Sequence, residues 1–279
     1  MRYEYSFSAW YTDSLEEYLQ RNDIKYKKEK WIPRDLLEFT IWSTDDNYLA
    51  ILNDLRDRKV NVRHVSLDYS AADIRNAELL YLRVYKPVIE IVNGEEAYEY
   101  SCRWVSSMGV KKVNHKRQIG TFAIRKEPSS RTSTAFWRED TGGSSTFTDR
   151  RVYELAKAYS LQGIQFEKVM NKKGEFSENI FQIKSPNIIT RDCIPLGHGE
   201  RIDVCDICGR EALVVDDTYQ MHLDFSKLKA SSDMYMTERI WGPGIEGSRY
   251  IISQRFYQLL KQNKLTGGIK VEPVKNSSV

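Results

Sequence analysis

Asp149-Arg-Arg-Val-Tyr-Glu-Leu-Ala-Lys-Ala-Tyr-Ser-Leu-Gln-Gly163 and Ser253-Gln-Arg-Phe-Tyr-Gln-Leu-Leu-Lys-Gln-Asn-Lys-Leu-Thr-Gly267 align without a gap. Tyr153/Tyr257, Leu155/Leu259, Lys157/Lys261 and Leu161/Leu265 coincide; after one extra glycine, Gly268, so do Ile164/Ile269, Glu167/Glu272 and Val169/Val274. Asp149 and Ser253 are cap residues, whose side-chain oxygens can take a free helix amide. Apolar residues follow at helical spacing, and a glycine ends each helix before an apolar strand. A helix-strand module is therefore expected twice, over Asp149 to Val169 and Ser253 to Val274.

Between the copies lies Cys205-Asp206-Ile207-Cys208-Gly209. Two thiolates two residues apart can grip one zinc ion, because the turn aims both sulfurs inward and the glycine lets backbone amides approach them. A closed zinc site takes four ligands, and a second C-x2-C pair is absent from the sequence. Cys193, Cys102, His198 and His222 are the candidates to complete it. The competing reading is a knuckle without metal, its cysteines packed as small hydrophobes.

The chain has 279 residues, a net charge of +3, and hydrophobic and charged fractions of 41% and 29%. These values fit a globular protein of two domains or one elaborated domain. No apolar run approaches the roughly 20 residues that span a bilayer, so no membrane segment is expected. The N-terminus shows no secretory signal. With four cysteines in so long a chain, a reducing cytoplasm is the expected location.

Working back to the start, Tyr3, Tyr5 and Phe7 alternate as on a strand, and Asp13 with Glu16 reads as a capping box for a helix carrying Leu15, Tyr18 and Leu19. Tyr26 to Trp31 and Leu36 to Trp42 read as strands, Asp45 or Asp46 as the cap of a helix through Leu55, and Val60 to Tyr69 as a further strand. The order β-α-β-β-α-β is that of a ferredoxin-like sandwich. Ala71 to Arg83 reads as a helix. Asn93-Gly94 predicts a two-residue hairpin turn between Val88–Val92 and Glu95–Cys102, and Pro128 to Thr148, rich in Ser, Thr and Gly, reads as a linker. The expected fold class is α+β: a ferredoxin-like unit and hairpin over 1–127, a flexible connection over 128–148, and a mixed α/β unit with the duplicated module and zinc knuckle over 149–279.

No catalytic set is legible. None of His64, His115, His198 and His222 lies in a recognisable motif with a nucleophile. Seventeen tyrosines and six tryptophans are more than a catalytic reading needs, and such residues are favoured at protein interfaces. Trp137 and Trp241, among glycines and serines, are the expected exposed contact residues. Lys111-Lys112-Val113-Asn114-His115-Lys116-Arg117 could neutralise a few phosphates, although a solvated loop is the simpler reading.

Cys205 to Leu213, Leu223 to Leu228, Tyr250 to Phe256, and Leu265-Thr-Gly-Gly with Glu272-Pro273-Val274 together resemble the C-terminal half of the bacterial double-CxxCG motif proteins, grouped with immunity proteins of polymorphic toxin systems. The resemblance covers about the last third of the chain. That family carries two knuckles; here Cys205 and Cys208 match one, and Cys102 stands where the other is expected. The resemblance implies a non-enzymatic cytoplasmic protein that binds and blocks a partner toxin or a related bacterial or phage-defence effector. A zinc-containing nucleic-acid-binding protein is the alternative.

Overall fold

The computed structural model describes residues 2–277 except 33, 61, 86–87, 106–110, 129–133, 141–144, 196–199, 205–208, 210, 216–219, 230–231 and 239–247. Within its strands, the side chains of 62–66, 100–105, 111–116, 200–201, 203 and 212–215 fall outside the description. Met1–Asp73 form one compact unit; Ile74–Val215 and Gln220–Val279 form the other. The fold is α+β and rich in strands. Among the described residues no helix is long and apolar enough to cross a membrane.

The first unit runs β1 (Arg2–Trp10), α1 (Asp13–Arg21), β2 (Tyr26–Glu29), β3 (Leu36–Trp42), α2 (Tyr48–Asp57) and β4 (Val62–Asp68). Its sheet has the order β2-β3-β1-β4, antiparallel throughout. Alternation along β3 turns Leu37, Phe39 and Ile41 to one face, where they meet Phe7, the α1 residues Leu15, Tyr18 and Leu19, and Ile51 and Leu55 of α2. The rings of Phe7 and Phe39 stack at 4.9 Å. Thr12 caps α1, its hydroxyl accepting from the Leu15 amide at 3.2 Å, while Asp13 and Glu16 sit in the first turn. Asn47, at φ 60, begins α2 in place of Asp45 or Asp46.

After α3 (Ala71–Asn76), the second unit is one arrangement built twice. The first copy runs β5 (Leu79–Val84), β6 (Val88–Ile89), α4 (Gly94–Ala97), β7 (Tyr98–Val105), β8 (Lys111–Gln118), β9 (Ala123–Ile124), β10 (Phe136–Glu139), β11 (Thr146–Asp149), α5 (Arg150–Ala158) and β12 (Gln165–Asn171). The second runs β13 (Phe176–Lys184), β14 (Ile188–Ile189), a 3-10 turn (Arg191–Cys193), β15 (Glu200–Val204), β16 (Glu211–Val215), β17 (His222–Leu223), β18 (Met234–Thr237), β19 (Tyr250–Ser253), α6 (Gln254–Gln262), β20 (Ile269–Pro273) and β21 (Lys275–Asn276). The duplication thus extends well beyond the helix-strand module visible in the sequence.

Register confirms the correspondence. The sheets are ordered β6-β10-β11-β13-β12-β9 and β14-β18-β19-β5-β20. Gln165 lies opposite Lys184 as Lys270 lies opposite Arg83, and Met170 pairs in parallel with Ala123 as Lys275 does with His222. In both copies a helix links two parallel strands that leave room for one antiparallel strand between them. β13 follows β12 through a turn in which Asn171 Oδ1 accepts from the Lys173 amide, and it fills the first slot. In the second copy β5, from the front of the unit, fills the slot between β19 and β20.

The helices repeat in detail. Asp149 caps α5 by accepting from the Arg151 amide at 3.0 Å, and Ser253 caps α6 by accepting from the Phe256 amide at 3.0 Å. Each helix ends on a left-handed residue, Ser160 or Lys264, and the next amide returns to the helix: Leu161 to the Ala156 carbonyl, Leu265 to the Leu260 carbonyl. Val152, Leu155 and Ala156 of α5 and Phe256, Leu259 and Leu260 of α6 share one core with Leu80, Leu82, Phe136, Ile183 and Ile252. The other face of the six-stranded sheet builds a second core around Phe122, Trp137, Phe147 and Ile180.

Further sequence expectations give way. Ala71 to Arg83 is a short helix followed by β5, because an apolar run buried on both faces loses the period of a strand. Asn93-Gly94 makes no hairpin: the Asn93 side chain donates to the Thr121 carbonyl and accepts from the Ala123 amide, and Gly94 opens α4. The span 128–148 contains β10 and β11, central to the six-stranded sheet and buried, where a linker was expected. The boundary accordingly falls at Asp73, not at 127.

Candidate functional sites: the hairpins and an aromatic end

The two copies each carry a hairpin, β7–β8 and β15–β16. Val204 and Glu211 form the last pair of the second, so the CxxCG run bridges two strand ends held at ladder spacing, about 5 Å. Gly209 has φ 68, a left-handed value that favours glycine. Cys205 and Cys208 themselves lie outside the described residues. In the first hairpin the residues between Val105 and Lys111 are Ser106-Ser107-Met108-Gly109-Val110, with no cysteine. Cys102 stands within β7 opposite His115, away from the hairpin end.

Cys193 is buried on the 3-10 turn, 3.6 Å from the Thr190 hydroxyl, and is a free thiol. His222 is on β17 opposite Lys275, and His198 lies outside the described residues. Among the described residues no group of three or more His, Cys, Asp and Glu side chains could hold a metal ion.

Trp137 is not an exposed contact residue. It is 3% exposed on β10, within the second core. The segment 128–148 is rich in Ser, Thr and Gly, but strand alternation sends Phe136 into one core and Trp137 into the other. Trp241 lies outside the described residues.

Among the described residues, the two exposed tryptophans belong to the first unit, while Tyr85, Tyr159 and Phe176 are exposed on the second. Trp10 is 51% exposed at the end of β1, and Trp31 and Ile32, 55% and 96% exposed, follow β2. Trp10 pairs with Leu36 and Glu29 pairs with Leu36, so these groups collect at one end of the sheet. A cavity of about 690 Å³ opens there, lined by Ala9, Trp10, Leu36, Val60, Arg58 and Lys59. The sequence signal available for this end was Trp31-Ile32-Pro33 between Lys30 and Arg34, apolar residues at the close of the expected Tyr26 to Trp31 strand.

A polar net braces the same region. The Tyr26 hydroxyl donates to Glu16 Oε1 at 2.8 Å and receives Gln20 Nε2 at 3.0 Å. The Tyr11 hydroxyl donates to Asp13 Oδ1 at 2.6 Å, and Lys28 Nζ lies 3.3 Å from the Tyr11 ring centroid. The Tyr26 hydrogen bond, aided by Tyr11, holds the Glu16 carboxyl below the usual carboxylate range. Hydrogen bonds to Asp13 and then Glu16 push the Tyr11 hydroxyl up. Fixed in this way, α1 and β2 present the aromatic end on a stiff base.

No protein-family model matches the chain, and no curated protein sequence matches it.

Proposed function

We propose that the protein acts by binding another protein, as an immunity-type inhibitor of a bacterial toxin or a related effector. The observation that carries this reading is the exposed Trp10, Trp31 and Ile32 beside a wide cavity at the end of the first unit. Clustered exposed apolar side chains mark contact surfaces, and tryptophan is among the residues that contribute most when a partner covers it. The β-α-β-β-α-β order with strands β2-β3-β1-β4 supports a ferredoxin-like first unit as the platform. On this reading the protein works in the cytoplasm. Co-expression with toxins encoded beside its gene tests the reading: rescue of growth and co-purification are expected, and failure with every neighbouring toxin removes it.

Zinc held by Cys205 and Cys208 belongs to the same reading, supported by the Val204–Glu211 pair beneath the run. Elemental analysis should find about one zinc per chain, lost in Cys205→Ser and Cys208→Ser, as expected of a structural site.

A nucleic-acid-binding reading has one observation in its favour. Lys111–Gln118 is a strand of a two-stranded ribbon, not a loop, and such ribbons fit the major groove. It requires duplex binding that weakens steeply with salt and with neutralisation of Lys111, Lys112, Lys116 and Arg117; salt-independent or absent binding excludes it.

A further inference from the structure

We propose, resting on the protein-binding function above, that the cavity at the aromatic end takes a short acidic segment of the partner, with apolar side chains flanked by carboxylates. The cavity holds about 690 Å³, within the ~300–1,000 Å³ range of pre-formed binding clefts. Ala9, Leu15, Leu36 and Val60 give it apolar walls beside the Trp10 ring. Its charged lining residues are Arg58 and Lys59, with no Asp or Glu among them. Among the described residues neither cation stands in an ion pair, and Arg58 Cζ lies 4.5 Å from the Tyr18 ring centroid. The carboxylate of Asp13, between the lining residues Thr12 and Ser14, accepts from the Tyr11 hydroxyl at 2.6 Å. Pro33, Asn61 and residues 62–66 include no Asp or Glu in sequence. Apolar walls edged by cations alone are matched by apolar side chains edged by anions on a partner.

The walls are set before a partner arrives. The Arg58, Lys59 and Val60 amides donate back into α2, to the carbonyls of Asp54, Arg56 and Leu55 at 3.0, 2.9 and 2.9 Å. Ala9 and Trp10 are held in the ladder opposite Leu37 and Leu36, and Thr12 caps α1. Side-chain torsions are what binding must fix, which limits the entropic cost. The charge of the unit sets the length of the segment. Residues 1–73 carry fourteen Asp and Glu against eleven Lys and Arg, so the unit as a whole repels a long polyanion such as a nucleic-acid strand. A short acidic stretch meets Arg58 and Lys59 without that repulsion.

Amide NMR of the full chain tests the proposal, with titration by the peptide Leu-Glu-Leu-Leu-Glu, by its counterpart Leu-Lys-Leu-Leu-Lys, and by AMP as a small aromatic anion. Saturable shifts at Trp10, Leu36, Lys59 and Val60 are expected with the Glu peptide and not with the Lys peptide. Arg58→Glu combined with Lys59→Glu should weaken the Glu peptide about tenfold or more and admit the Lys peptide in its place, an exchange that unfolding does not produce. Lys261→Glu, on α6, should leave both peptides as they were. An equal response to both peptides, shifts confined to other residues, AMP binding in the cavity where the Glu peptide does not, or unaltered preference in the double variant overturns the assignment. Against a toxin that co-purifies with the chain, full affinity in the double variant overturns it too and leaves the binding function standing. Peptide exchange beside failure with every neighbouring toxin removes the toxin and leaves the acidic segment as what the cavity takes.

Discussion

A β-carbon placed on Gly163 would run into the Ser232 hydroxyl. Gly163 has φ 76, and the same added atom would meet the Asn187 side-chain amide and come 2.6 Å from the Met234 carbonyl oxygen. These three groups are themselves tied together, with Asn187 Nδ2 donating to Ser232 Oγ at 2.7 Å and Ser232 Oγ donating to the Met234 carbonyl at 2.7 Å. Gly163→Ala should therefore cost about 2–4 kcal/mol, combining left-handed strain with overpacking. Gly174→Ala, at φ 83 with nothing within 4 Å of the new atom, should cost only about 1 kcal/mol. Urea unfolding of both variants checks the difference; equal costs would show that the Ser232 contact does not matter.

What could be read in the sequence was local. The caps Asp149 and Ser253 and the alternation of Leu36–Trp42 act within a few residues, and the structure has them where the pattern puts them. The larger duplication was hidden because its evidence is pairing: Gln165 with Lys184 and Lys270 with Arg83 share a place in the fold but no side-chain type. Asn93 misleads for a related reason, since its side chain bonds residues far along the chain, at Thr121 and Ala123. Trp137 shows the limit of composition, because the Ser-, Thr- and Gly-rich make-up of 128–148 says little about which way a strand residue within it points. The aromatic end of the first unit required knowing that Trp10, Leu36 and Glu29 share one end of a sheet.

The slot-filling role of β5 makes Leu80 a test of the duplicated architecture. Leu80 is fully buried and lies between Ile252 and Pro273. Leu80→Ala should cost about 2–5 kcal/mol. Hydrogen exchange should quicken in β19 and β20, whose ladders both run to β5, while β1 and β3 keep their protection. Equal loosening of both units would contradict the independence of the two cores.

Glu16 should give the first unit an acid-sensitive limb. Its carboxyl is held below the usual range chiefly by the Tyr26 hydroxyl, then by Tyr11. A depressed carboxyl stabilises the fold above its unfolded value of ~4.3, and the effect fades as pH falls through the folded value. The thermal midpoint of the natural chain should accordingly fall more steeply below about pH 4.3 than that of Glu16→Gln. Parallel profiles would mean that the Tyr26 bond does not distinguish the charged form.

Trp137 and Trp10 should separate stability from recognition. Truncating Trp137, 3% exposed among Phe122, Phe147 and Ile180, should cost about 3–5 kcal/mol, because the ring leaves a cavity that the packed core cannot close. Truncating Trp10, 51% exposed, should change stability by no more than about 0.5 kcal/mol. Against a protein partner of the kind proposed the order should reverse: Trp10→Ala should lose about 2 kcal/mol of affinity, roughly thirtyfold, as a contact tryptophan does. Equilibrium unfolding and titration calorimetry on the same two variants supply both readouts. Full affinity in Trp10→Ala and Trp31→Ala alike would place the contact surface elsewhere on the molecule.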